Sequence, residues 1–423
     1  MGRLPVLFMT AFVDMVGLTV VMPLLPFYAT ELGASATMVG LLVSAFSVAQ
    51  LAVAPLWGRF SDRYGRRPAI LSGLLLTGCA YVIFAFAGSV WVLLLSRLVQ
   101  GLGGGTIGVV QAYVADASSP EERTKSLGWL SAVTSLGAVA GPAFGSVMIS
   151  VGGKAAPGLA AAALALLIAG FAARFLVESR TEMSGSHPTP SATSARQAIG
   201  RVVSHWHEPA SRLIWIYTIG IGAFYGTIQV VPLLLMNRLG VTERTIGYFV
   251  MYLGGMGVVV RSLLLGRAVD LLGEARLSRL GLVLLAAGLG CTGLASHGGI
   301  IFLGFTLMPL GTAFLFPCVT GLLSRVVPSH ERGLYMGVQH TFGGISRVLF
   351  PVAAGLLMDR FGVGVPFWIS GLLVLATLPF AWALAESLRP ESPATVAVRM
   401  VSSADVTGEF PVERVTEGGS AGP

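Results

Sequence analysis

The stretch Gly58-Arg59-Phe60-Ser61-Asp62-Arg63-Tyr64-Gly65-Arg66-Arg67 separates two apolar runs, near 38–57 and 69–88. Each run reaches the roughly 20 residues that a helix needs to cross about 30 Å of hydrocarbon. A basic loop between two such runs reads as the headgroup end of a membrane hairpin. The glycines permit a tight reversal. Asp62 can cap the following helix or pair with an arginine.

Working outward, the same ruler finds further runs near 6–30, 90–115, 126–151 and 157–177. After a polar gap it finds others near 212–236, 245–265, 277–296, 299–324, 333–358 and 364–386. All are far longer than the ~10 residues of a membrane strand, and none alternates. The expected fold class is therefore all-α, with twelve transmembrane helices. Composition agrees: 54% of the 423 residues are hydrophobic and 11% charged, against about a quarter charged in a soluble globule.

The chain also repeats itself. Gly33, Gly40, Gly58, Arg59, Asp62 and Gly65 recur as Gly240, Gly247, Gly266, Arg267, Asp270 and Gly273. Pro120, Arg123, Gly128 and Pro142 recur as Pro328, Arg332, Gly337 and Pro351. Two pseudo-symmetric six-helix bundles follow, at 1–177 and 212–386. A cytoplasmic linker, with room for an interfacial helix, is expected at 178–211, and a disordered cytoplasmic tail at 387–423. Most of the 27 Lys and Arg fall on one side if both termini are cytoplasmic, and only Lys154, Arg238, Arg244 and Arg360 fall on the other.

Several functions are set aside. A net charge of +7 could suit nucleic acid, but the basic residues occupy gaps between apolar runs and form no single basic face. Cys79, Cys291 and Cys318 lie in apolar runs without ligand-spaced partners, so no metal site or cofactor is expected. The first run is too long for a signal h-region of roughly 7–15 residues, and no cleavable signal is expected. No G-x-x-x-x-G-K-[ST] occurs and no nucleophile–base set stands out, so the chain reads as a non-enzyme driven by an ion gradient. Gly103, Gly105 and Gly108 spell GxGxxG inside an apolar helix, where glycines serve packing.

The Gly58–Arg67 loop closely resembles the signature loop of the major facilitator superfamily, and Gly266-Arg267-Ala268-Val269-Asp270 is a weaker copy. Three further stretches resemble its twelve-span drug:proton antiporters, including tetracycline exporters. Span one reads Asp14-Met15-Val16-Gly17 and Met22-Pro23-Leu24-Leu25-Pro26-Phe27-Tyr28. Span four reads Arg97-Leu98-Val99-Gln100-Gly101. Span five reads Gly137-Ala138-Val139-Ala140-Gly141-Pro142-Ala143-Phe144-Gly145, with Ser146 where a second glycine is common. The resemblance implies a monomer in a bacterial cytoplasmic (inner) membrane, with a small molecule and protons as partners. It also implies that Arg97 works near proton transfer and that Gly137, Gly141, Pro142 and Gly145 act as an antiporter motif. Gly58, Asp62, Arg66, Asp116 and Gly337 would form a lock on the outward-open state.

Charge inside a membrane is costly and so informative. Asp14 is the carboxylate nearest the middle of any span; it reads as a proton carrier or as a structural hydrogen-bond partner. Arg97 is its natural counter-charge. In the second half Arg261, His340 and Arg347 lie in or near spans. His340 can titrate near neutrality, and Arg347 can face an anionic substrate or reach Asp14 across the bundles. Gln50, Gln111, Tyr113, Phe224, Tyr225, Gln229 and Gln339 are the expected substrate contacts, with packing as the plainer role of each. The expected function is proton-coupled export of a small amphipathic molecule. The alternatives are a metabolite uptake carrier of the same superfamily and a non-transporting membrane receptor or scaffold.

Overall fold

A computed structural model describes residues 3–119, 122–176, 178 and 194–387. Pro120, most of the expected linker (179–193) and the tail from 388 onward lie outside the described residues. Among the described residues no strand occurs, and twelve helical spans are long and apolar enough to cross a membrane. Spans one to six are Leu4–Glu31, Ala36–Tyr64, Arg66–Ala85, Val90–Asp116, Lys125–Gly152 and Ala156–Phe175. Spans seven to twelve are Pro209–Leu239, Ile246–Leu272, Glu274–Leu294, Gly298–Val326, Arg332–Phe361 and Val365–Ala383. Between the halves, the helix Ala195–Ser204 opens with a reciprocal capping box between Ser194 and Gln197. It buries Ala198 and Val202 against spans seven and eleven.

The arginine stretch is helical for most of its length, which corrects the loop reading. Span two continues to Tyr64, so Gly58 is an interior helical residue, and Gly65 alone makes the reversal at φ +103. Asp62 does not cap span three. Glu178, more than a hundred residues further along the chain, does so: its carboxylate accepts from the backbone N–H of Arg66 at 2.9 Å and of Arg67 at 3.1 Å. A Cβ on Gly65 would overlap that carboxylate, so both the turn and the cap need glycine there.

The repeated glycines and prolines meet one another crosswise. Gly40 of span two lies on the Pro351 carbonyl of span eleven, and Gly247 of span eight lies on the Pro142 carbonyl of span five; a Cβ on either glycine would overlap the carbonyl. Polar contacts finish both crossings. Asp359 accepts from the N–H of Ala36 (2.9 Å), the N–H of Thr37 (2.8 Å) and the Thr37 hydroxyl (2.6 Å). Ser44 donates to the Val348 carbonyl at 2.6 Å. Ser146 accepts from the Gly247 N–H at 2.9 Å and donates to the Glu243 carbonyl at 3.2 Å. The serine that departs from the family pattern therefore bonds across the seam. Its repeat-equivalent, Gly355, packs bare against the Ala36 carbonyl.

These contacts close the two halves at the face opposite the arginine stretch. At the arginine face the halves part. Gly58, Gly266 and Gly337 there have no neighbour within 4 Å of an added Cβ. The last turns of span eight, Leu265–Leu272, bury no residue. Just before them the helix widens into a π turn at Val260–Leu264, a local change of pitch that often marks a working hinge.

A leucine at Gly247 cannot fit under the Pro142 carbonyl. Overpacking of this kind costs about 1–3 kcal/mol, enough to shift the halves toward the opposite opening. In a Ser44→Cys background lacking the native cysteines, Gly247→Leu is expected to raise the thiol labelling rate about tenfold. An unchanged rate would show that this crossing does not seal the face.

Candidate functional site

In the first half, Asp14 is half-buried in the wall of a cavity of about 640 Å³. The cavity lies among spans one, three, four and five. Its lining is mostly apolar, with Ile70, Leu74, Val110, Leu127 and Leu130, and its polar groups are Thr10, Thr106, Gln111, Ser131 and Thr134 besides Asp14. Its volume and sparse polarity suit a drug-sized amphipath. Gln111 lines the same cavity as Asp14.

Span four reaches this cavity through a break. Its helix ends at Gly104 and resumes at Ile107, after glycines that let it press between its neighbours. Gly101 lies against the Phe46 carbonyl of span two and Gly103 against Thr77 of span three. Interrupting a helix releases carbonyls that need donors. The Gln50 amide donates to the Gly104 carbonyl at 3.0 Å, and the Trp57 indole donates to Leu102 at 2.6 Å. Gln50 is therefore committed to holding the break, which corrects its reading as a substrate contact. Tyr113 is fully buried in the apolar core of the first half and is likewise no cavity residue.

Arg97 is fully buried, and none of its three guanidinium nitrogens has a hydrogen-bond partner among the described residues. It lies over the Phe84 ring, 5.4 Å from the centroid. No ion pair joins it to Asp14 among the described residues, contrary to the expected pairing. One turn from Arg97, the Gln100 amide donates to the Tyr81 hydroxyl at 3.1 Å. A Cβ on Gly17 would come within 2.9 Å of it, so the small residue after Asp14 admits the tyrosine to span one. Sequence reasoning passed over both residues. Gln100 stands three residues from Arg97 and so shares its helix face, a readable signal. Tyr81 sits in an apolar run that offered none.

At the open face, the Arg66 guanidinium donates to Asp62 at 2.9 Å, to Ser61 at 2.9 Å and to Asp116 at 3.2 Å. Three residues of the expected lock are together, and Gly337 stands apart with open space beside it. The second half carries a bridge that sequence reasoning missed because its signs are exchanged. Glu274 opens span nine where Arg66 opens span three, and Arg325 closes span ten where Asp116 closes span four. Arg325 donates to Glu274 at 2.9 Å.

The antiporter-like glycines pack span five onto span one. Gly137, Gly141 and Gly145 lie on the carbonyls of Phe12, Val16 and Val20. The same helix therefore grips span one on one side and seals against Gly247 through Pro142 on the other.

In the second half, span eleven sorts its residues by face. Ile345, Leu349 and Leu356 are exposed apolar residues on its lipid side. Gly343 packs on Tyr217 of span seven, Ser346 donates to the Thr218 carbonyl at 2.9 Å, and Gly344 packs on Leu51 of span two. The sector left between those two neighbours looks into the space between the halves, and it holds His340 and Arg347. The Arg347 Nε donates to the Gly343 carbonyl at 3.3 Å, and its guanidinium lies 5.7 Å above the Tyr225 ring. Phe224 meets Tyr225 edge-on at 5.7 Å, and Gln229 is half-buried one turn further along. Arg347 forms no ion pair with Asp14. Gln339 is buried and accepts from the Thr320 hydroxyl at 3.5 Å. That bond ties spans ten and eleven together, while the Gln339 amide nitrogen has no hydrogen-bond partner among the described residues.

Comparison with known proteins extends these observations. The Major Facilitator Superfamily model matches residues 7–264 and 259–409. Multidrug resistance protein 2 of Bacillus subtilis (strain 168) is 27% identical over 384 residues, 88% of this chain and 92% of that protein. Tetracycline resistance protein, class B, of Escherichia coli is 26% identical over 360 residues, 84% of this chain and 87% of that protein. Among solved structures, a bacterial homolog of the human lysosomal transporter Spinster, inward-facing and occupied, shares the fold at a TM-score of 0.74 and 13% identity. That likeness covers 90% of this chain and 96% of the other. With the match running through both repeated halves, the chain belongs to the Major Facilitator Superfamily.

Proposed function

We propose that this transporter exports a small amphipathic molecule from the cytoplasm in exchange for protons. The observation that carries the reading is Asp14, an ionisable group in the wall of a mostly apolar cavity of about 640 Å³. Proteins named for multidrug resistance and tetracycline resistance are relatives over most of both chains, which supports export over uptake.

The arginine face is cytoplasmic by the positive-inside rule, and the conformation is then inward-open. Substrate enters from the cytoplasm and settles against the cavity while Asp14 is ionised. The Gly40–Pro351 and Gly247–Pro142 crossings part, the cytoplasmic ends close, and Arg66 with its two carboxylates meets span eleven near Gly337. Substrate leaves outward. A proton from outside neutralises Asp14, which lowers the cost of returning that group through a dry interface. Tyr81 meets span one at Gly17, one turn from Asp14, and bonds Gln100, one turn from Arg97, whose guanidinium donors are unpaired among the described residues. The protein works as a monomer in the inner membrane, with both termini in the cytoplasm.

Two tests follow from the site. In energised inverted vesicles, addition of an exported compound is expected to draw on the pH gradient, and Asp14→Asn to reduce that flux about 100-fold or more. Equal responses from the two proteins would leave transport standing and make Asp14 structural. At the cytoplasmic face, Asp116→Arg is expected to slow transport, and the double exchange Arg66→Asp with Asp116→Arg to restore part of it. The pair is half-exposed, so its coupling should be only about 0.5–1 kcal/mol. No recovery in the double variant would mean that more than this pair's attraction is at work.

A further inference from the structure

We propose that Arg347 and Tyr225 form an anion-recognising subsite at mid-membrane, and that the exported molecules it favours are aromatic compounds bearing a carboxylate or a similar anionic oxygen group. The inference rests on the export reading and adds a substrate class to it.

Depth is the first argument. Arg347 is the middle of a 30-residue span, and Tyr225 is the middle of a 31-residue span. At 1.5 Å per residue, both lie near the membrane midplane, where an unneutralised charge is most costly. A guanidinium kept at that depth is expected to serve a pathway or a ligand.

The second argument is what surrounds it. Its Nε donates to the Gly343 carbonyl, and its central carbon lies over the Tyr225 ring at 5.7 Å from the centroid. No carboxylate pairs with it among the described residues. The terminal nitrogens are left to whatever enters between the halves. A guanidinium offers two parallel N–H donors, the geometry that matches a carboxylate, and stacking on an aromatic ring holds that fork in place.

The third argument is the platform. Phe224 braces Tyr225 edge-on, and Tyr225 itself is 38% exposed. A flat aromatic ring can lie against Tyr225 while its anionic group meets Arg347. The charge on the first half's cavity is of opposite sign, from Asp14. The two halves thus present different chemistry, and the anionic end of a ligand belongs on the second.

The test uses three dyes that share one ring system: dansylglycine with a carboxylate, dansylamide with no charge and dansylcadaverine with an ammonium. Binding is read by fluorescence on the full-length protein in lipid nanodiscs. Dansylglycine is expected to bind about tenfold or more tightly than dansylamide. Arg347→Gln should abolish that preference, and Arg347→Lys should keep part of it, because charge without the planar fork is a weaker match. Retained dansylcadaverine binding by Arg347→Gln reports an intact fold; if that variant does not fold, the arginine–lysine comparison decides. Equal binding of dansylglycine and dansylamide by the native protein, or a preference that survives Arg347→Gln, overturns the subsite. Dansylcadaverine transport in vesicles separates the two readings: it sustains export even where the anion preference is absent.

Discussion

Two helices can cross at backbone distance only where at least one of them carries no side chain at the contact. Between the halves the protein meets that constraint at two seams, with Gly40 on the Pro351 carbonyl and Gly247 on the Pro142 carbonyl. The rest of the architecture follows from those two points. They join the halves at one face, which leaves the arginine face free to open. They also limit what the joint is worth. Contacts between bare backbones, a few hydrogen bonds and one carboxylate at a helix start are strong enough to close and weak enough to release. A large interlocked apolar interface at the same place would hold one state permanently.

The polar groups at the seam differ in kind. Asp359 satisfies the free N–H groups at the start of span two, as a capping residue would, but it comes from the other half of the molecule. The helix end is therefore fully satisfied only while the face is closed. On the second seam Ser146 takes the corresponding duty with a neutral hydroxyl. One seam is charged and one is not, although the glycine–proline crossings beneath them are alike. The same asymmetry appears at the open face, where Arg66–Asp116 and Glu274–Arg325 link equivalent helix ends with exchanged signs. Both halves keep the geometry of the repeat while their electrostatics diverge.

Much of this was legible in the residues. The twelve spans and the two halves follow from length, periodicity and spacing, and the Arg66–Asp116 pairing was implied by the family resemblance. The glycine–proline repeat pairs were visible as pairs, but sequence offers no sign that each glycine meets the other half's proline, because that is a property of how bundles face each other. Gln50 shows the limit: a mid-span glutamine looks like a ligand group until the carbonyl its amide serves is known. Gln50 serves a helix break whose released carbonyls the sequence does not announce. Glu178 was read as linker, and it caps a helix more than a hundred residues earlier. The exchanged bridge escaped because a search for repeated residues cannot see a conserved interaction made by opposite ones.

Arg97 and Arg347 show how differently one residue type can be kept inside a membrane. Arg97 is closed off, its charge resting on Phe84 and facing the Tyr81–Gln100 pair. Its effect is exerted on the protein's own groups, because nothing else can approach. Arg347 has half its surroundings open to the space between the halves, a ring beneath it and one backbone bond. A closed arginine is committed to the protein; an open one can take a ligand. The first half thus holds both signs of charge within its own bundle, and the second half holds a mid-span arginine without a carboxylate partner among the described residues. If the halves evolved from one repeat, their division of labour lies in which charge each kept enclosed and which it left to the substrate path.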